Sequence, residues 1–167
     1  MLFGTSGQTN FQVVLKKAKI IVLGIALFLA GYLREFVFES INSRLGSILH
    51  EDYLFELTSF LSVFNSWSYN SLYIFKYFLT FLFAAIFMGL SLILVKIIFD
   101  KKEYLKITIL FFSSIFSLSF LLFGIGYITG FLAQGYTLSR YIIEFIESPL
   151  APFFLISAMH LYNKNTT

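Results

Sequence analysis

The sequence predicts an all-α polytopic membrane protein with four transmembrane helices and a short interfacial helix on the outer side. Three observations predict it. The first is composition: of 167 residues, 58% are hydrophobic, 20% aromatic and only 13% charged. Soluble domains are about 45–50% apolar and about 25% charged, so this chain lacks the charge to cover a water-facing surface. The second is the recurrence of uncharged apolar runs near the length of about 20 residues that a spanning helix needs. The third is the sidedness of the basic residues in the connections. A soluble domain, a disordered tail and a fibrous repeat are therefore excluded. The net charge of +3 is small and split by topology, so nothing points to nucleic acid. There is no cysteine, which removes disulfides, thiolate metal sites and a cysteine nucleophile. The whole chain, 1–167, reads as one integral membrane domain.

The first span is expected at about 18–40. Residues 20–33 carry no charge, and Phe36, Val37 and Phe38 continue the apolar pattern past Arg34 and Glu35. Lys16, Lys17 and Lys19 precede it, as in a signal peptide, but no small-x-small cleavage pattern follows. A retained signal anchor is the expectation. The connection 39–72 is the longest piece outside the spans. In it Leu54, Leu57, Phe60, Leu61 and Phe64 form a stripe at helical spacing, followed by Trp67, Tyr69 and Tyr73, residue types of an interfacial aromatic belt. Two readings stand side by side: an amphipathic helix on the outer leaflet, or a folded cap over the bundle.

The second span is expected at about 73–97 and the third at about 106–131. The uncharged run 107–139 exceeds one span, so it should hold a helix, a Gly-rich exit and part of a loop. The fourth, about 141–162, contains Glu144, Glu147, Pro149 and Pro152. The prolines should kink or break it, confining the crossing part to about 153–162.

Positive charge sets orientation. Eight lysines (16, 17, 19, 96, 101, 102, 106 and 164) fall on one side with only Asp100 and Glu103. The other side has Arg34, Arg44, Lys76 and Arg140 against seven acids, so the split is +6 against −3. Both termini are expected in the cytoplasm, and the protein in the cytoplasmic (inner) membrane.

Charged groups at membrane depth are costly, and they face the bundle interior or snorkel to the surface. Six qualify: Arg34, Glu35, Glu39, Arg140, Glu144 and Glu147. Glu35 and Glu39 share a helical face at i, i+4, as do Arg140 and Glu144, with Glu147 one turn farther. All six are expected near the outer boundary. Arg34 has Glu144 or Glu147 as partner across helices; Arg140 has Glu35, Glu39 or Glu144. The cluster reads either as an outer site that docks a partner or positions a substrate, or as ordinary interfacial charge. General acid–base work by the carboxylates lacks an accompanying nucleophile or metal-ligand spacing. His50 and His160 fall on opposite predicted sides. His50 with Glu51 and Asp52 reads as a solvated loop rather than a metal site. No cofactor is implied. Gly126/Gly130, Ala85/Gly89 and Ala26/Ala30 are small-xxx-small pairs that suit close helix approach, and Ser113, Ser114, Ser117 and Ser119 offer hydrogen bonds from span three.

The order of features also resembles a family. Its pieces are Arg34-Glu35-Phe36 after a short first span, Phe75-Lys76-Tyr77-Phe78 opening the second, and Phe99-Asp100-Lys101-Lys102 before Tyr104-Leu105-Lys106. Ser139-Arg140 and Glu147-Ser148-Pro149-Leu150-Ala151-Pro152 close it. Together they resemble the small membrane proteins associated with exosortases in Bacteroidetes, of the exosortase F or exosortase X type. Exosortases are multi-spanning cysteine transpeptidases that process proteins carrying a C-terminal sorting signal. The resemblance implies a non-catalytic accessory subunit, held in the lipid bilayer beside such an enzyme. The competing expectation is a small transporter or channel subunit with Glu144 and Glu147 on its path. Transport usually needs polar groups near the midplane, and spans two and three offer little beyond serine and threonine.

Overall fold

The structure, a computed structural model, describes residues 5–49 and 55–165. The described elements are all helical: α1 (Thr5–Leu49), a 3-10 helix (Ser59–Ser66), α2 (Tyr69–Phe99), α3 (Lys102–Thr129), α4 (Leu132–Ile146) and α5 (Leu150–Asn165). Two of them, α2 and α3, are long and apolar enough to cross a membrane. The pair α4 and α5 meets the same test jointly, bent by 65° at its break, as a broken span or a re-entrant loop. His50, Glu51, Asp52 and Leu54 lie outside the described residues.

Helix α1 runs unbroken through Arg34 and Glu35 for 45 residues, about 68 Å at 1.5 Å per residue. That is twice a bilayer core of about 30 Å. The connection expected from residue 39 is therefore helical as far as Leu49. Beyond the run 20–33, α1 buries Val37, Phe38, Ile41 and Leu45, an i, i+4 face. These pack with Leu57, Leu61, Leu72, Leu79 and Phe83. The segment 55–66 is thus folded over α1 and the start of α2. Of its apolar stripe, Leu57 and Leu61 are buried while Phe60 points outward. The regular α-helix expected at 54–64 is a 3-10 helix, whose tighter turn moves Phe60 off the buried face.

Polar groups hold this segment in place. Asn65 clamps Leu57 from both sides: its Oδ1 accepts from the Leu57 N–H at 2.8 Å, and its Nδ2 donates to the Leu57 carbonyl at 3.0 Å. Arg44 donates to the carbonyls of Phe55 (2.8 Å) and Asn65 (2.9 Å). In a segment without a regular ladder, these side chains supply the partners that buried backbone groups need. Trp67 packs edge-on against Phe64 and Phe75, with ring centroids 4.7 and 5.3 Å away.

Ser68 caps α2 by accepting from the Ser71 N–H at 3.3 Å. The buried positions Leu72, Leu79, Phe83, Phe87, Ser91 and Leu94 lie along one helical stripe. The turn into α3 is short, with Asp100 left-handed at φ 50°. Gly130, at φ 80°, ends α3 as a left-handed C-terminal glycine does. The chain then returns at once as α4, where a loop was expected through residue 139. Gly126 explains this. A Cβ there would lie 2.7 Å from the Gly135 Cα, so α3 and α4 touch backbone to backbone. Gly126 is a contact residue as its spacing suggested, but its partner is Gly135; Gly130 serves the turn. Ser119 crosses the same contact to Ser139, hydroxyl to hydroxyl at 2.7 Å. Ser113, Ser114 and Ser117 remain exposed.

The lysine-rich ends gather at one end of the bundle. Lys16 donates to the Ile98 carbonyl at 3.3 Å, and the Tyr104 hydroxyl donates to Asn163 Oδ1 at 3.0 Å. Large apolar side chains, among them Ile25, Ile74, Phe78, Leu110, Leu121 and Ile128, point outward. An apolar surface of that extent requires lipid or another protein to cover it.

Candidate functional site

The site is built where α4 gives way to α5. Pro149 withholds an N–H and disfavours helix at the residue before it, so the chain turns at Glu147 and Ser148. Gly31 on α1 makes room for that turn: a Cβ there would meet Pro149 Cδ at 3.1 Å and Cγ at 3.2 Å. The break therefore nests against α1, one turn before Arg34, and delivers Glu147 to it.

Arg34 Nε donates to Glu147 Oε2 at 3.1 Å. The Glu147 side chain is 0% exposed and that of Arg34 10%. Arg34 Nη1 also pairs with Glu35 at 2.9 Å, and Nη2 lies 3.9 Å from Glu144. The guanidinium sits over the Phe38 ring, 4.8 Å from its centroid, a cation–π contact. Arg140 pairs with Glu144 on its own helix at 2.7 Å. The other Glu147 oxygen, Oε1, is buried with no hydrogen-bond partner among the described residues.

Five of the six residues singled out in the sequence are thus gathered: Arg34, Glu35, Arg140, Glu144 and Glu147. Glu39 is exposed on α1 and forms no ion pair among the described residues. Arg34 does pair across helices, whereas Arg140 stays with Glu144. Neighbouring contacts give the level of the Arg34–Glu147 pair along the bundle. A Cβ on Gly31 would lie 3.9 Å from Phe87 Cζ, and Phe38 packs on Phe83 at 6.0 Å between centroids. The pair is therefore level with 83–87, the middle of α2. Both α1 and the segment 55–66 continue well beyond it.

A cavity of about 210 Å³ opens beside the pair between α2, α3 and α4. Its polar wall includes Lys76, Tyr136 and Arg140, and its apolar wall Phe81, Phe116 and Phe120. Leu27, Phe87, Leu94, Phe112 and Ile146 pack into a buried apolar cluster nearby. Sequence reasoning missed Gly31, Gly135 and Tyr136 here. The first two matter only through what each one meets, the Pro149 ring at Gly31 and the Gly126 backbone at Gly135, which no spacing within one helix reveals.

No His, Asp and Glu group among the described residues has the arrangement to hold a metal ion. Compared with known proteins, the chain matches no family model, no curated protein and no solved structure.

Proposed function

We propose that this chain is an integral membrane accessory subunit that docks a larger membrane protein along the outward face of α1. The observation that carries the reading is the exposure of Glu35. Its side chain is 71% exposed, yet it lies one residue from a buried arginine and, in the placement given below, one helical turn inside the outer membrane boundary. A carboxylate facing hydrocarbon at such depth is costly, and a partner that covers it removes the cost. The face continues in both directions. Ile21, Ile25, Phe28 and Tyr32 precede Glu35 and Glu39 at alternating spacings of four and three, and the four apolar members all point outward. That is the repeat of a helix–helix seam, with acidic residues at one end to choose a basic partner.

In this reading α1 is the first of four crossings, α2 and α3 the second and third, and bent α4–α5 the fourth. Both termini are cytoplasmic, in the inner membrane, by the lysine sidedness. About 30 Å of helix above Lys19 ends at Glu39, and the same length above Lys96 ends at Lys76. The segment 55–66 then forms a cap beyond the bilayer surface. The resemblance to exosortase-associated proteins suggests a multi-spanning cysteine transpeptidase as the partner. A transport path through Glu144 and Glu147 is less favoured, since it would have to cross the apolar cluster around Phe87 and Phe112.

The test is co-expression with the exosortase-type enzyme of the same genome and purification in mild detergent. The enzyme should co-purify with the native chain and with Lys164→Gln, and be lost with Glu35→Lys/Glu39→Lys. Equal recovery with all three, or recovery with none, would refute the docking face.

A further inference from the structure

The cavity between α2, α3 and α4 has charge that the ion-pair cluster does not use. Its lining includes three cations, Arg34, Lys76 and Arg140, but only two carboxylates, Glu144 and Glu147. Arg34 is held by Glu147 and Glu35, and Arg140 by Glu144. Lys76 is half-buried and has no ion pair or side-chain hydrogen bond among the described residues. Thr80, one turn on, is turned back to the Lys76 carbonyl at 3.2 Å. The Tyr136 hydroxyl, on the facing helix, also makes no hydrogen bond among the described residues. A half-buried ammonium and a free hydroxyl on facing walls, with Arg140 one turn from Tyr136, form an incomplete anion site: neither the ammonium nor the hydroxyl reaches an acceptor among the described residues, and the unpartnered acceptor of the lining, Glu147 Oε1, is itself fully buried and bonds to neither.

The other wall defines what carries the anion. Phe81 packs on Phe116 at 5.2 Å, and Phe116 on Phe120 at 5.4 Å. Phe81 and Phe120 are themselves more than half exposed on the outward surface. The cavity is therefore cationic at one end and aromatic at the other, and the aromatic end opens toward the side that lipid covers. Its volume of about 210 Å³ is below the range of about 300–1,000 Å³ usual for a whole small-molecule ligand. It suits a headgroup-sized polar portion whose apolar remainder lies outside. In the membrane placement proposed above, Lys76 stands about 30 Å of helix above Lys96, the thickness of a bilayer core, and so at the depth of lipid phosphates.

We propose that this cavity binds the phosphate of a phospholipid, with Lys76, Arg140 and Tyr136 around the anion and an acyl chain along Phe81, Phe116 and Phe120. The site is distinct from the α1 docking face and does not depend on it.

Delipidated protein in mild detergent would be titrated with dioleoyl phosphatidylglycerol, with dioleoylglycerol, which has the same chains and no phosphate, and with inorganic phosphate. Bound mass would be read by native mass spectrometry. Phosphatidylglycerol should bind at one saturable site, and dioleoylglycerol at least tenfold more weakly. Lys76→Gln and Tyr136→Phe should each weaken phosphatidylglycerol binding, Lys76→Gln by roughly tenfold or more. Lys76→Arg should retain it, and Lys164→Gln should leave it unchanged. Circular dichroism of each lipid-free variant establishes that the fold persists. Equal binding of both lipids, or native-like binding by folded Lys76→Gln, overturns the site. If inorganic phosphate alone saturates a Lys76-dependent site and phosphatidylglycerol does not displace it, the anion site stands and the lipid source is overturned.

Discussion

Removing Glu147 or Arg34 should expose how much the fold depends on their pairing. The pair is desolvated on both sides, with side chains 0% and 10% exposed. Breaking a buried pair by deleting one partner typically costs about 3–5 kcal/mol, because the survivor is left as an uncompensated buried charge. The two deletions are not equivalent here. Glu147→Ala leaves Arg34 with Glu35 at 2.9 Å, Glu144 at 3.9 Å and the Phe38 ring, so it belongs at the lower end, about 3 kcal/mol. Arg34→Ala leaves Glu147 with both oxygens lacking a donor, since Oε1 has none already, and belongs nearer 5 kcal/mol. The double variant Arg34→Met/Glu147→Met fills the same volume with apolar atoms. It should lie within about 1 kcal/mol of the native chain or be more stable. The assay is reversible unfolding of all four proteins in mixed micelles, analysed as a double-mutant cycle. If both single variants cost less than about 1 kcal/mol, the value for an exposed pair, the burial described for this site is wrong.

Two further outcomes follow, one from the fold and one from the proposed orientation. Ser119→Cys/Ser139→Cys should cross-link on mild oxidation, since the native hydroxyls are 2.7 Å apart and the chain has no other thiol; Ser113→Cys/Ser139→Cys should not. In intact cells an impermeant thiol reagent should label Ser43→Cys and spare Lys102→Cys, and the opposite pattern would reverse the proposed orientation.

Much of the bundle was legible from charge and hydropathy, because α2 and α3 are bounded by chemistry that a single sequence displays. Lys96, Lys101 and Lys102 mark one end, and Gly130 closes α3 by its backbone freedom. The break at Pro149 was legible for the same local reason. The return helix α4 was not. Gln134, Gly135, Tyr136 and Thr137 read as loop, and what makes them helical is contact with α3 through a glycine a helix away. The level of Arg34 along the bundle was also hidden. Its distance from Lys19 along α1 is plain, but its level in the bundle depends on how far α1 projects beyond it. The stripe at 54–64 showed its apolar character but not its 3-10 geometry, which Asn65 and Arg44 impose by holding the backbone from outside the stripe. Among the candidate residues, Arg34 and Glu147 found each other as complementary charges should. Nothing in the spacing showed that Glu35 would be left facing outward.

That outward carboxylate is where the functional reading is tested most directly. A photo-reactive benzoylphenylalanine placed at Glu39, on the proposed seam, and at Lys164, far from it, would be irradiated in native membranes and the adducts identified by mass spectrometry. The Glu39 position should yield one dominant protein adduct, a multi-spanning membrane protein with a cysteine-transpeptidase motif, and Lys164 should not. Lipid adducts alone at Glu39, or the same adducts from both positions, would contradict the proposal that this helix face docks an enzyme.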